Sequence, residues 1–166
     1  MDILHRTRLL FGDTAIEKLA KSTVMVVGCG AVGSFATEAL ARSGIGHLVV
    51  IDFDTVEKTN INRQLFATTS TVGQPKVDVA KRRIHDINPN IIVTEYNTFW
   101  DENTDIPEKP DFIIDAIDTV DSKIPSTRTI PASTGRQTRA RLPWPPADSP
   151  APAWAKAPRP NPKPFP

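Results

Sequence analysis

Gly28, Gly30 and Gly33 form a GxGxxG run, and Asp52 follows 22 residues beyond Gly30. In such a run the first glycine permits a tight turn, the second lets backbone approach a phosphate, and the third lets a helix pack on a strand. The first helical turn, through Ala31 and Val32, then offers free N–H groups and a partial positive charge to an anion. A carboxylate placed as Asp52 is suits ribose hydroxyls. Glycines serving only packing would explain the run equally simply if it stood alone. Here a strand is predicted before it and a helix after it, so a nucleotide site is the stronger reading.

NAD and ATP both fit that much. The stretch downstream, DFDTVEKTNINRQ (52–64), adds Asp54, Asn60, Asn62, Arg63 and Gln64, and Lys76 comes thirteen residues after Arg63. Two cations and several amides brought near the glycine loop suit a triphosphate, whose charge exceeds that of a dinucleotide's diphosphate. Arg63 can grip oxygens in a bidentate fork, and Lys76 can follow a moving charge as a point cation. A hydride-transferring enzyme has no evident need for them. Each residue also has a plain structural reading: Asp52 and Asp54 as exposed strand-end acids, Lys76 as a solvated lysine in a first helical turn. Cys29 lies inside the phosphate loop and reads as structural. His5, His47 and His85 have no metal-ligand spacing, and Lys81-Arg82-Arg83 reads as a solvated helix face, with contact to a nucleic-acid backbone as the rival.

These residues need elements to hold them. Residues 13–21 (DTAIEKLAK) predict a short helix with Asp13 as N-cap and Ile16, Leu19 and Ala20 on one face. Thr23–Val27 and His47–Ile51 are apolar runs too short for helices and suit strands buried on both faces of a parallel sheet. Between them residues 31–43 predict a helix stopped by Gly44. Residues 53–74 read as loop, with Asn60, Asn62 and Gly73 as turn formers, and Pro75–Ile87 as a proline-initiated helix stopped by Asn88-Pro89. Ile91–Tyr96 and Phe112–Ile117 complete four strands. Strands alternating with helices imply a doubly wound, mostly parallel α/β sheet of Rossmann type.

The 166 residues contain two kinds of material. Residues 1–124 carry 13 basic and 18 acidic residues, a formal −5, and four of the sixteen prolines; residues 125–166 carry seven basic residues, one acid and twelve prolines, a formal +6. The second segment has no apolar period, and proline removes backbone donors, so a disordered or polyproline tail is expected over 125–166. Trp144, Trp154 and Phe165 could serve a partner there, and an unselected tail is the plainer reading. The abrupt change points to a frameshift or aberrant splice. A single cysteine excludes an intrachain disulfide and a CxxC metal site. No apolar run nears the roughly 18–20 residues that span a bilayer, and the first residues lack a signal peptide's core, so a cytoplasmic protein without a membrane is expected.

The run from Gly28 to Asn90, GCGAVG through DFDTVEKTNINRQ and GQPK, resembles the E1-like (ThiF, MoeB and HesA) adenylating superfamily. The resemblance covers about residues 5–124. Within it, RTRLLFG (6–12), TNINRQ (59–64) and FIIDAIDTVDSK (112–123) look most like the tRNA threonylcarbamoyladenosine dehydratases; carrier-protein activators usually have a stretch near DCTDN at the last position. The resemblance implies an enzyme that uses ATP to make a carboxyl-adenylate. Asp52 would bind the ribose, while Asn60, Arg63, Gln64 and Lys76 would surround the phosphates. Asp118, in competition with Asp115 and Asp121, would hold Mg²⁺ between the β- and γ-phosphates. Arg6 falls where the superfamily supplies an arginine from the partner subunit of a homodimer, to stabilise charge at the α-phosphate as pyrophosphate leaves.

The implied substrate is tRNA, with the C-terminus of a ubiquitin-like sulfur-carrier protein as the runner-up. An NAD-dependent dehydrogenase and a non-catalytic interaction protein with a polyproline tail are the rival classes. The family's helix, strand and substrate-facing pattern is not visible after Lys123. The expectation is therefore a chain that keeps much of the ATP pocket and lacks turnover, with an unpaired apolar edge at its fourth strand.

Overall fold

The computed structural model describes residues 2–101 and 104–117. Asp118 and the Pro-rich segment 125–166 lie outside the described residues, as do the expectations that fell on them. Two short helices, α1 (His5–Phe11) and α2 (Asp13–Lys21), lead into strand β1 (Thr23–Val27). Helix α3 (Ala31–Ser43) carries the chain to β2 (His47–Ile51), and α4 (Lys76–Ile87) carries it to β3 (Ile92–Tyr96). An extended crossover then reaches β4 (Phe112–Asp115).

All three strand pairings are parallel, in the order β3-β2-β1-β4. The β1 and β2 residues from Val24 to Val27 and Leu48 to Ile51 are at most 3% exposed, which is why their sequences are continuous apolar runs instead of alternating ones. Val24, Leu48 and Val50 pack with Ala41 of α3 and Val77, Ala80 and Ile84 of α4 on one face. Met25, Val27, Val49 and Ile51 face the other way, beneath Trp100 and Ile106 of the crossover. Pro107 and Pro110 keep that crossover from forming a helix in its second half. It is pinned by the Tyr96 hydroxyl, which donates to Glu108 at 2.6 Å. That bond, with burial adding to it, pushes the Tyr96 phenol up to about 12.

The predicted elements are present, with corrections at their ends. Asp13 is not an N-cap: Gly12 occupies that position, and the Asp13 carboxylate accepts from Arg8 instead. Helix α1 was not anticipated; it buries none of its own residues, so it carries no amphipathic period to read. Pro75 caps α4 and Lys76 opens it, β3 starts one residue late at Ile92, and β4 ends at Asp115 instead of Ile117. Gly44 ends α3 in the left-handed region at φ 83°, as expected. The Lys81-Arg82-Arg83 face is not merely solvated. Lys81 pairs with Glu95, Arg83 pairs with Glu38, and Arg82 donates to Gln74.

Candidate nucleotide-binding site

The parallel register brings the carboxyl ends of the strands to one level: Val27 lies beside Ile51 and Asp115, and Ile51 beside Tyr96. The strand order reverses at β1/β4, where ligands of open parallel sheets bind. A cavity of about 560 Å³ opens there, a size usual for small-ligand sites.

Its floor is the glycine loop. Gly28 has φ 94°, and a Cβ there would lie 2.9 Å from the Ala116 carbonyl oxygen. A Cβ on Gly33 would lie 1.7 Å from the Gly28 carbonyl oxygen, so this glycine sets how closely α3 meets the strand. On Gly30 the nearest atom is Gln64 Nε2 at 3.9 Å, so its open side faces the cavity. Gly30 is the N-cap of α3 and has no side chain to satisfy the first-turn N–H groups. Ala31 and Val32 line the cavity at that point. Gly28 thus makes the tight turn and Gly33 the close helix–strand packing that their spacing implied, and Gly30 leaves its side open to the cavity.

Asp52 is 9% exposed, and its carboxylate is held from two sides. Oδ2 accepts the Cys29 N–H at 2.6 Å and Oδ1 accepts the Asp54 N–H at 2.8 Å, which ties the glycine loop to the turn after β2. Lys76 is buried, and its ammonium donates to Asp54 Oδ2 at 2.7 Å. Asn60 and Gln64 are buried and line the cavity; Asn60 Oδ1 also accepts the Glu57 N–H at 2.9 Å, closing a short 3₁₀ turn at Lys58–Asn60. Arg63 is exposed at the rim, steadied by bonds to the Thr59 carbonyl and Asn62 Oδ1. It has no ion pair among the described residues.

Asn62 itself does not line the cavity, and Arg6 sits exposed on α1, also outside the lining. Sequence reasoning passed over Phe53, Thr55, Glu57, Thr98, Phe99 and Trp100, all of which line it. The available signal was positional: residues just past the carboxyl ends of parallel strands form the crevice. Phe53 and Phe99 meet edge to face with ring centroids 5.1 Å apart. Among the described residues no group of three or more His, Cys, Asp or Glu is placed to hold a metal. Nor is any described helix long and apolar enough to cross a membrane.

Cys29 is fully buried, and burial, reinforced by the Asp52 carboxylate, pushes its thiol well above the ordinary range. A thiolate is therefore not available at neutral pH. Native protein is expected to react with a thiol-specific reagent at least about 100-fold more slowly than the unfolded chain. Rapid labelling of Cys29 without unfolding would show that the loop opens.

A glycine loop, a helix N-terminus, a buried carboxylate and two cations thus surround one crevice at the carboxyl ends of the strands. Residues 4–129 match the ThiF family, and the chain belongs to that family. The tRNA threonylcarbamoyladenosine dehydratase of Bacillus subtilis is 51% identical over 122 residues, 72% of this chain and 48% of that protein. The crystal structure of the Escherichia coli tRNA N6-threonylcarbamoyladenosine dehydratase in complex with ATP matches with TM-score 0.64 and 40% identity, covering 69% of this chain and 49% of that one. The Escherichia coli molybdopterin-synthase adenylyltransferase is 40% identical over 106 residues, 63% of this chain and 43% of that protein. The chain thus spans about half the length of the curated relatives it matches.

Proposed function

We propose that this chain supplies the ATP-binding half of an enzyme that adenylates a carboxyl group, with the threonylcarbamoyl group of a modified adenosine in tRNA as the substrate. The observation that carries this reading is the convergence of Asp52, Arg63 and Lys76 on one cavity floored by Gly28–Gly33. Asp52 takes the ribose end, and Asp54 pairs with Lys76 at the phosphate end. The backbone of Gly30–Val32 and the side chains of Asn60, Arg63, Gln64 and Lys76 take the phosphates, with Asn62 steadying Arg63. The threonyl carboxylate attacks the α-phosphorus, and the bond to the β-phosphate breaks to release pyrophosphate. Ring closure within the threonylcarbamoyl group then expels AMP, so the net change is loss of water.

Lys76 and Arg63 stabilise the negative charge that moves onto the leaving pyrophosphate. Arg6, exposed on α1, would reach the α-phosphate of the second copy in a homodimer. One carboxylate plus phosphate oxygens is a donor set that suits Mg²⁺, and Asp118 is the residue assigned to it, two residues beyond the cavity-lining Ala116. The ion would neutralise charge between the β- and γ-phosphates. The cytoplasm, where tRNA is modified, is the proposed compartment.

Calorimetric titration of the 166-residue chain with ATP and with NAD tests the first step. Binding of ATP at micromolar concentration with at least tenfold weaker NAD binding is the expected result; the reverse preference would overturn the reading. The 40% identity to a molybdopterin-synthase adenylyltransferase favours one second reading, activation of a carrier protein's C-terminus. ATP–pyrophosphate exchange that depends on a ubiquitin-like sulfur carrier, and not on threonylcarbamoyladenosine-containing tRNA, would establish it.

A further inference from the structure

The two cations of the cavity are held differently. Arg63 stands exposed with carbonyl and amide partners, whereas Lys76 is 5% exposed and, among the described residues, pairs with one carboxylate, Asp54. The Asp54–Lys76 pair is also fixed through its backbone. The Lys76 N–H donates to the Asp54 carbonyl at 3.0 Å, Thr55 bridges Pro75, and Val56 exchanges bonds with Gln74 and Gly73. The Asp54 N–H is in turn held by Asp52. A small antiparallel clip therefore presents one lysine and one aspartate to each other at the phosphate end of the cavity. Within the pair the side-chain exposures are 7% for Lys76 and 47% for Asp54, so the aspartate is the member solvent can replace.

We infer that Asp54 is a positioning residue that neutralises the Lys76 ammonium while the cavity is free of nucleotide and yields it to an incoming polyphosphate. A buried ammonium without a counter-charge is strongly unfavourable. The clip supplies that charge from a half-exposed group that can turn to water when phosphate oxygens arrive. The ligand thus trades one charge-assisted bond for another at Lys76, and the lysine keeps its place throughout. Binding therefore includes a competition between Asp54 and the polyphosphate for one ammonium. This inference rests on the ATP reading of the same site.

A double-mutant cycle with Asp54→Asn and Lys76→Met tests it, read as affinity for metal-free ATP in the presence of a chelator. With Lys76 present, Asp54→Asn is expected to tighten ATP binding about threefold or more, because the ligand no longer displaces a carboxylate. In the Lys76→Met background the same substitution is expected to change affinity by less than about 1.5-fold. Asp54→Glu, which restores the charge, should return affinity toward the unsubstituted value. A purely structural Asp54 would lower thermal stability and leave the cycle additive, and additivity overturns the inference. If Asp54→Asn weakens metal-free binding, the aspartate organises the site without competing for Lys76, which also overturns it. Should Asp54→Asn fail to fold, Asp54→Ser provides the same charge removal. Failure of the unsubstituted chain to bind ATP would sink the nucleotide reading itself, an outcome distinct from an additive cycle.

Discussion

Substituting Gly33 with alanine is expected to lower the melting temperature by roughly 10 °C or more and to abolish nucleotide binding, whereas Gly30→Ala should leave the melting temperature nearly unchanged. A methyl group on Gly33 falls 1.7 Å from the Gly28 carbonyl oxygen and 3.3 Å from the Ala116 methyl. The first of these is backbone in the middle of the glycine loop, so no side-chain rotation relieves the overlap. Helix α3 has to move away from β1 by more than an ångström, and Thr37 and Ala41, both fully buried on it, move with it. Overpacking of this kind costs about 1–3 kcal/mol, and a backbone clash lies at the upper end of that range or above it. The same displacement carries the first-turn N–H groups away from the cavity. On Gly30 the added methyl meets nothing closer than 3.9 Å, so the fold is undisturbed and the methyl stands in the space a phosphate would use. Thermal denaturation with ATP titration on the two variants separates these effects. Equal melting temperatures would show that the contact between Gly33 and Gly28 is not what sets the helix position.

Legibility in the sequence followed burial. Strands β1 and β2 are buried on both faces, so TVMVV and HLVVI stand out as short apolar runs. Helix α3 declares itself by the glycines at both ends. Helix α1 was missed because Ile3, Leu9, Leu10 and Phe11 around it are all more than 60% exposed, and without a buried face there is no period to find. The end of α2 nearest the N-terminus was misread because Asp13 has the chemistry of a cap, yet its carboxylate is drawn to Arg8 across the bend at Gly12. The capping preference lost to an ion pair with the preceding helix.

The candidate site shows the same division. Asp52 was singled out as an acid ending a buried strand, and Lys76 as a second cation, with Arg63, downstream of the glycine loop. What the sequence could not show is the set of contacts that holds each of them in place. Asp52 braces the glycine loop through Cys29, and Lys76 is compensated by Asp54, 22 positions away in the chain. The first contact follows from the parallel register that aligns Val27 with Ile51, and the second from the antiparallel clip that joins Thr55 to Pro75. Phe53, Phe99 and Trp100 were missed for a related reason. Aromatic residues in loops carry no spacing rule, and their role follows from where two strands end.

Asp52→Ala is expected to cost about 2–4 kcal/mol of stability and to remove the site's preference for a ribose over a deoxyribose. The stability loss comes from two backbone donors. The Cys29 N–H points into a fully buried loop, and with the carboxylate gone it has no acceptor there; the Asp54 N–H loses its partner as well. Asp52→Asn should lie between, because one amide oxygen can serve one of the two donors while the amide N–H₂ opposes the other. This ordering, wild type above Asn above Ala, distinguishes a bracing carboxylate from a merely exposed strand-end acid, which would show no such gradient. The binding effect is separable. A carboxylate accepting one N–H at each oxygen still has lone pairs free, and Asp52 lines the cavity where a ribose edge would lie. Comparing affinity for ATP with that for its 2′- and 3′-deoxy forms isolates that contribution, since the phosphates and base are unchanged. Wild type should favour ATP by about tenfold, the worth of one charge-assisted bond, and both variants by much less. If Asp52→Asn keeps the full ribose preference, Asp52 serves the loop alone, and the ribose must be read by another group on the cavity wall.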